Sequence, residues 1–363
     1  MKNRKNHRRH MGTAAVGIDI GEERSETTYL SAEGDVIDRF SFPMNPEGYA
    51  EFARRIPAGT RIAFEASGMA YSVSKTLKGL GYPDLTVAHP KELAWIVKSK
   101  KKNDKVDSLK LAKLHLVNML PESHLLSDED RTFRDLLVQR VRLGKEISSQ
   151  KNSIIGYLKR EDKFSRLPES TDNFSETRRE AMKTIAFGDA KDLVLKGMFE
   201  RLEFYEKQCE PLEVRIKASA RESEDVKLLM SIPGVGYYLA SLLSSYIGDI
   251  QRFPSHNHLA SFFGVVPTQR DSSSIKRRGK MSKEGNSTAR WALSTAVDTV
   301  MCHNLSMRAY YEAVKNRTKS GKLAHVLTMR KLVRRIDHML RTREAWKRGN
   351  VELTERKIAQ LEA

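Results

Sequence analysis

The chain has 363 residues, with 64 Lys+Arg against 46 Asp+Glu, a formal charge of +18 and a pI near 9.8. With 30% charged and 39% hydrophobic residues it can bury real cores, which excludes a disordered basic tail and leaves room for two or three domains. The excess charge calls for a polyanionic partner. Nucleic acid is favoured over membrane, because no 18-residue apolar run and no lipidation signal occurs. Cys209 and Cys302, the two cysteines, argue against a disulfide framework and against zinc. The opening MKNRKNHRRH is basic but is followed by no apolar stretch, so it is not a secretory signal and a cytoplasmic protein is expected. It reads as a frayed tail or as a phosphate-binding arm.

The first strand, residues 13–19, ends in Val16-Gly17-Ile18-Asp19-Ile20-Gly21. It is apolar on both sides, as a strand in the middle of a helix-covered sheet should be. Asp19 is costly there unless a cation meets it; the plain alternative is a strand-end aspartate that caps the Gly21 turn. Ser25 to Leu30 and Val36 to Phe42 follow as strands, with Glu33-Gly34 between them as the turn. Pro46 to Ile56 reads as a helix, Arg61 to Glu65 as a strand, Tyr71 to Leu80 as a helix and Leu85 to Ala88 as a short strand. Pro90 opens a helix over Glu92 to Val97. Three strands in hairpin order, then alternating helix and strand, predict a mixed sheet of the ribonuclease H type.

A basic run, Lys98-Ser99-Lys100-Lys101-Lys102, precedes Asn103-Asp104-Lys105-Val106-Asp107. These residues enter a helix whose apolar face is expected through Leu109, Ala112, Leu116 and Met119. Asp104 and Asp107 lie three apart, on one face of its first turn. Aspartates near a helix N-terminus also suit the macrodipole with no further role. Beside a lysine cluster, however, they suit a site that holds metal and phosphate together. Asp19, Glu65, Asp104 and Asp107 thus place four hard oxygen donors in one domain, the donor type of Mg²⁺ or Mn²⁺. Two such ions could stabilise the attacking and leaving oxygens of phosphoryl transfer.

From Asp128 to Leu158 the pattern is helical, with Leu136, Leu143, Ile147, Ile154 and Leu158 recurring at sevens and fours. Met198, Leu202, Tyr205, Cys209, Leu212 and Ile216 form a second seam at alternating four- and three-residue steps. Pro211 should kink that helix or start a new one, and Arg160 to Thr177 should be a polar loop. The two runs predict an antiparallel helical hairpin, a spacer or a dimerisation arm.

A third unit begins near Glu224. Ser231-Ile232-Pro233-Gly234-Val235-Gly236 leads into a helix over Ala240 to Ile247, the pattern of a helix-hairpin-helix. Gly234 and Gly236 would let backbone N–H groups approach a phosphate; an ordinary helix–helix turn is the alternative. His256-Asn257-His258 reads as a polar helix start. After Pro267 comes Ser272-Ser273-Ser274, then Lys276, Arg277, Arg278, Lys280 and Lys283, then a helix from Arg290 with Leu293 and Val297. A serine cluster beside so many cations reads as a flexible phosphate-binding loop, or as a nucleophilic serine activated from elsewhere. The last long helix is amphipathic, with Val326, Met329, Val333, Ile336 and Leu340 on one face and a basic MRKLVRR stretch across the other.

GIDIG, FEASG and NDKVD, then a helical linker, then IPGVG, the Pro267-x4-Ser272 segment and GKMSKEGN with Arg290, resemble the DEDD transposases of the IS110 insertion-sequence family. That group also contains the Piv-type DNA invertases. The resemblance runs from about Val16 to about Leu340. It implies a basic tail over 1–12, a RuvC-like DEDD catalytic domain over 13–125, a helical coiled-coil linker over 126–222, a C-terminal transposase domain over 223–345 and a tail over 346–363. It implies that Asp19, Glu65, Asp104 and Asp107 hold the metal, and that Ser272 attacks DNA to form a phosphoserine. It further implies DNA substrates at the element ends and target, a structured guide RNA, and a homodimer or tetramer. Where the family usually has glycine after the serine, this chain has Ser273, so Ser273 and Ser274 stay open as nucleophiles. Among rivals, a sugar-kinase-like ATPase lacks its further glycine-rich loops. A junction resolvase would use the carboxylates alone, and a noncatalytic nucleic-acid-binding protein would cleave nothing.

Overall fold

The computed structural model describes residues 14–90, 92–93, 104–272, 275–347 and 350–362. The predicted Glu92–Val97 helix and the Lys98–Lys102 run fall mainly or wholly outside these residues. The chain forms two compact units, one up to Ser127 and one from Asp128 onward. Among the described residues no helix is long and apolar enough to cross a membrane.

In the first unit, β1 (Ala15–Asp19), β2 (Arg24–Leu30), β3 (Val36–Pro43), β4 (Arg61–Glu65) and β5 (Leu85–Ala88) form one mixed sheet in the order β3-β2-β1-β4-β5. β1–β2 and β2–β3 are antiparallel hairpins, whereas β1–β4 and β4–β5 are parallel. That is the order and polarity expected of a ribonuclease H-type sheet. Helix α1 (Pro46–Arg55) starts at Asn45, whose Oδ1 accepts from Gly48 N, with Pro46 at its first position. It buries Phe52 against Phe42 and Tyr82 in a cluster that also holds Val16, Ile18, Ile62 and Phe64. Each such side chain contributes roughly 1.5–3 kcal/mol by leaving water. Helix α2 (Ala70–Gly79) adds Val73 and Leu77 to the same face.

The opposite face of β1 receives helix α3 (Asp104–Leu116). Strand side chains alternate, so Gly17 looks away from Val16 and Ile18. A Cβ on Gly17 would lie 2.1 Å from Ser108 O and 2.4 Å from Ala112 N, so backbone meets backbone there. Thr28 Oγ1 and Ser108 Oγ, 2.9 Å apart and buried, pin the contact. The expected apolar face of this helix is corrected by one position. Ser108, Leu111, Ala112 and His115 are buried, whereas Met119 is 61% exposed and lies beyond the helix end. Two polar residues of the buried face, Ser108 and His115, hid the stripe.

In the second unit, α4 (Asp128–Arg160) and α6 (Asp189–Glu222) are paired long helices. Arg140–Glu213, Lys151–Glu206 and Glu161–Lys191 ion pairs run in opposite sequence directions, so the helices are antiparallel. The seam buries Leu202, Cys209 and Ile216, and Cys209 is a core residue with a free thiol. Helix α6 continues through Pro211, so no new helix starts there. Pro211 is on the exposed side, where water can take the carbonyl that its missing N–H leaves behind. The expected Arg160–Thr177 loop is mostly irregular, with two exceptions. A 3₁₀ turn spans Phe164–Arg166 and helix α5 (Glu176–Lys183) begins inside it. Phe164, Leu167 and Phe174 anchor the segment on Ile154, Leu158 and Leu202.

The other end of the pair joins a larger core made by α7 (Glu224–Met230), α8 (Tyr237–Ile247), α9 (His256–Phe262), α10 (Ser287–His303), α11 (Leu305–Thr318), α12 (Gly321–Thr342) and α13 (Val351–Glu362). Leu137, Val141, Ile216 and Ala220 of the paired helices belong to it, as do Ile336 and Leu340 of α12. The C-terminal stretch is fastened to the Ser231–Gly236 turn. Trp346 N donates to Ser231 Oγ at 2.9 Å, and Lys357 Nζ donates to the carbonyls of Val235 at 2.9 Å, Ile232 at 3.4 Å and Met230. Burial pushes the Lys357 ammonium below the usual lysine range.

The serine- and lysine-rich segment is not wholly a loop. Pro267–Ser272 (β6) and Ile275–Met281 (β7) form a two-stranded antiparallel sheet, with Ser273 and Ser274 between them outside the described residues. Successive Lys and Arg conceal the period-two pattern by which a strand is recognised.

Candidate active site and nucleic-acid surface

Asp19 is the last residue of β1 and Glu65 the last of β4. The strands are parallel, and Ile18 pairs with Phe64, so the two carboxylates occupy the next positions of neighbouring strands. Alternation then decides which way they face. Asp19 lies two residues from Gly17, and Glu65 two from Ala63, the partner of Gly17; both belong to the face that carries α3.

The direction of α3 completes the geometry. Arg61, at the opposite end of β4, donates through Nη2 to His115 O at 3.5 Å and to Asn118 Oδ1 at 2.6 Å. The helix therefore has its C-terminal end at the start of β4 and crosses Gly17 at Ser108 and Ala112. Its first turn points toward the strand end where Asp19 sits. A helix rises about 1.5 Å per residue and a strand about 3.3 Å. The few residues from the Gly17 crossing back to Asp104 and Asp107 therefore cover about the same axial distance as the two from Gly17 to Asp19. Asp107 is partly exposed and its Oδ1 accepts from Lys110 Nζ at 2.8 Å. Asp104 is the first residue of α3; its side chain lies outside the described residues, as do Lys98, Lys100, Lys101 and Lys102.

One acidic residue escaped the sequence reasoning. Glu26 is the register partner of Asp19 across the β1–β2 hairpin, and lies two residues from Thr28 on the α3 face. Glu26, Asp19 and Glu65 thus cross three adjacent strands in a row. Directly opposed like charges destabilise a sheet unless positive charge meets them. The N-terminal dipole of α3 supplies some of it. A divalent cation would supply more, and carboxylate oxygens are the right donor type. Among the described residues, no group of three or more His, Cys, Asp or Glu is close enough to hold a metal ion as it stands. The strand positions are therefore neighbours without a closed donor set among those residues. The signal for Glu26 is its place opposite Asp19 across the β1–β2 hairpin, which the register of the two strands reveals.

In the second unit Ser272 ends β6, in register with Ile275; Asp271 pairs with Lys276, Arg270 with Arg277 and Gln269 with Arg278. Lys276, Arg277, Arg278 and Lys280 all lie on β7. The base of the hairpin is held tightly. Ser282 N donates to Val266 O at 2.9 Å and Lys283 N to Gly264 O at 3.2 Å. Lys283 is exposed and holds a left-handed backbone at φ 54°. A Cβ on Gly264 would come within 2.7 Å of Gly285 N, so only glycine permits this approach. Arg290, on the first turns of α10, spans the same junction, donating through Nη1 to Gly285 O at 3.0 Å and Phe263 O at 3.5 Å. Its guanidinium is thus a strut at the hairpin base.

The two turn glycines differ. Gly234 has φ 79°, and a Cβ there would meet Thr299 Cγ2 at 2.5 Å and His303 Cδ2 at 2.6 Å. Its size serves the packing of α10 on the turn. Gly236 precedes α8 with open space where a Cβ would project and with no side-chain cap on the helix. The first N–H groups of α8 therefore lack a side-chain acceptor at this cap position, the arrangement that suits an anion.

Two family models match the chain without overlap and together cover more than half of it. The DEDD transposase model of the IS110 group matches residues 16–161, from β1 through the end of α4. The model described as transposase IS116/IS110/IS902 family matches residues 226–312, from α7 into α11 and so across the hairpin. The transposase for insertion sequence element IS1111A of Coxiella burnetii is 27% identical over 322 residues, 88% of this chain and 84% of that protein. The probable family 20 transposase of Pseudomonas aeruginosa is 22% identical over 292 residues, 78% of this chain and 82% of its own length. An insertion element IS110 protein of 43.6 kDa from Streptomyces coelicolor is 28% identical over 150 residues, 41% of this chain and 37% of that protein. With its acidic sheet end inside one matched segment and its serine-bearing hairpin inside the other, the chain belongs to the IS110 family of DEDD transposases and is a DNA transposase.

Proposed function

We propose that this transposase cleaves and rejoins DNA through a covalent serine intermediate, with Asp19, Glu65, Asp104 and Asp107 as its divalent-metal carboxylates. The observation that supports the reading is that Asp19 and Glu65 end neighbouring parallel strands on the sheet face that α3 covers, with the first turn of α3 directed toward that end. Mg²⁺ or Mn²⁺ bound by these residues would polarise a phosphate oxygen and stabilise charge on the attacking and leaving oxygens. Asp19, Glu65, Asp104 and Asp107 would hold the ion, and the negative charge of Glu26 beside Asp19 would favour a cation there. Ser272 Oγ forms a bond to phosphorus as a phosphodiester P–O bond breaks; the released sugar hydroxyl takes up a proton and the serine gives one up. A hydroxyl from a second strand then displaces the serine, which restores the enzyme without outside energy.

The reading extends to the nucleic acids. Lys276, Arg277, Arg278, Lys280 and Lys283 neutralise backbone phosphates around the hairpin, and the N–H groups next to Gly236 add a further contact. The α4–α6 pair acts as the coiled-coil linker and the turn at Gly234 as a helix-hairpin-helix. A structured guide RNA selects the donor and target sequences, as in the family that the motifs resemble. The test combines wild type, Ser272→Ala and Asp19→Asn with substrate DNA, divalent metal and cognate RNA. Wild type should give a denaturation-resistant protein–DNA adduct, and Ser272→Ala should give none while Ser273→Ala and Ser274→Ala only slow it. An undiminished adduct from Ser272→Ala moves the nucleophile elsewhere, and cleavage with no adduct in wild type favours a resolvase-type reaction.

A further inference from the structure

A cleft of about 750 Å³ in the second unit is lined by α4, by Tyr238 of α8 and by Trp291 of α10. Trp346 is buried in the core, whereas Trp291 is 38% exposed. Among the described residues no hydrogen bond and no ring contact engages the Trp291 indole. A large aromatic side chain left partly open beside a cleft is a platform for another flat ring. Trp291 directly follows Arg290, the strut at the hairpin base, so the first turns of α10 serve both the hairpin and the cleft.

The α4 residues of the cleft recur every three or four positions and so share one face of that helix. The face is kept short and polar by Gly144, Ser148, Ser149 and Asn152. Glycine, serine and asparagine are poorer helix formers than leucine or alanine, so helix propensity does not account for them. Larger side chains there would fill the cleft. A Cβ on Gly144 would meet Arg140 Nη1 at 3.0 Å. Arg140 is itself committed, donating through Nε to Glu213 Oε1 at 2.7 Å and lying 5.3 Å from the Tyr238 ring centre. Lys145 is exposed and forms no ion pair among the described residues, so it is the cation left to the cleft. Ser148 Oγ donates to Gly144 O at 2.8 Å and keeps its own lone pairs as acceptors. Asn152 is exposed and offers both a donor and an acceptor. No carboxylate is among the described residues that line the cleft. An indole, a cation and short hydrogen-bonding side chains are what an unpaired nucleotide needs at its base face, its phosphate and its base edge. In a duplex the base faces are covered by their neighbours, so a duplex cannot use the indole. The volume is also that of a site for a small ligand.

We propose that the cleft between α4, α8 and α10 holds one unpaired nucleotide of a single-stranded nucleic acid, its base stacked on Trp291 and its phosphate at Lys145. The inference rests on the reading of the chain as a nucleic-acid-binding protein, and is independent of the metal site and of which serine attacks. It is tested on the full chain by fluorescence titration with short adenine strands of ribose and of deoxyribose, a deoxyribose strand of the same length without bases, and a duplex. Both the base-bearing strand that occupies the cleft and its stacking should show as quenching of the wild-type indole. Trp291→Ala should weaken single-strand binding about tenfold and leave duplex binding within about twofold. Trp291→Phe should keep most of the affinity, because its ring still stacks, and lose the quenching. Ser149→Leu leaves the indole in place, fills the cleft from an exposed helix position, and should weaken the single strand as Trp291→Ala does. The strand without bases should bind wild type and Trp291→Ala alike. Whichever sugar shows the Trp291-dependent loss names the source of the nucleotide. Single-strand affinity unchanged in Trp291→Ala or in Ser149→Leu, an equal loss for the duplex, or a strand without bases bound as tightly by wild type as its parent would each overturn the proposal. A wild type that binds neither strand nor duplex would overturn the nucleic-acid reading beneath it, so the two failures are told apart.

Discussion

The acidic sheet end and the serine hairpin are built in different ways. Asp19 and Glu65 sit on parallel strands in the middle of a five-stranded sheet, and α3 is locked to β1 by backbone contact at Gly17. Ser272 sits at the end of a two-stranded sheet whose described fastening is at its base, through Gly264, Gly285 and Arg290. A two-stranded ribbon has little stability of its own. The first arrangement fixes the positions of the two carboxylates by packing. The second carries Ser272 and a row of Lys and Arg residues on an element joined to the rest of its unit at one end.

The largest effect that would sharpen this contrast is on chemistry. Asp19→Asn should lower metal-dependent DNA cleavage by at least about a thousandfold, because a lost metal contact costs several kcal/mol in the transition state. Filter binding should show DNA affinity unchanged; lost affinity with retained cleavage would break the assignment. Next comes packing. Gly17→Val would drive a side chain into Ser108 O and Ala112 N, and should cost about 3 kcal/mol or more by chemical denaturation, with α3 displaced. In the second unit, Gly234→Ala should cost about 2 kcal/mol through its clash with Thr299 and its left-handed backbone, whereas Gly236→Ala should stay within about 1 kcal/mol. Similar thermal midpoints for those two variants would mean that α10 does not pack on the turn. A smaller effect belongs to Arg290→Ala, which removes the hairpin strut and should cost about 1–2 kcal/mol. Last, replacing Lys276, Arg277 and Arg278 by Gln should lower the slope of log affinity against log salt by roughly 0.9 per lost DNA phosphate contact. An unchanged slope would remove β7 from the DNA interface.

Much of the first unit was legible because its strands are short, apolar and separated by turn residues; β1 to β5 fall within a residue or two of the expected spans. The direction of α3 was not legible. It depends on the Gly17 contact and the Arg61 bonds to His115 and Asn118, which join distant segments without local pattern. Pro211 illustrates the opposite limit. A strong local rule predicted an interruption, but tertiary packing carries α6 through it. The hairpin was hidden by composition, since strands rich in Lys, Arg and Ser have no apolar alternation to reveal them. The C-terminal stretch looked like a tail, yet Trp346 and Leu361 lie in the core and Lys357 binds the turn before α8. At the candidate site the four carboxylates could be named from motifs, whereas Glu26 required the register of β1 with β2.

The central claim is that Asp19, Glu65 and the N-terminal turn of α3 make one divalent-cation site. Calorimetric titration of the full chain with Mn²⁺, in the absence of nucleic acid, tests it most directly. Wild type should bind the ion, and Asp19→Asn and Glu65→Gln should each weaken binding at least about tenfold, a loss of about 1.4 kcal/mol, with Asp107→Asn weakening it further when combined. Mn²⁺ affinity equal in wild type and in Asp19→Asn would contradict the account.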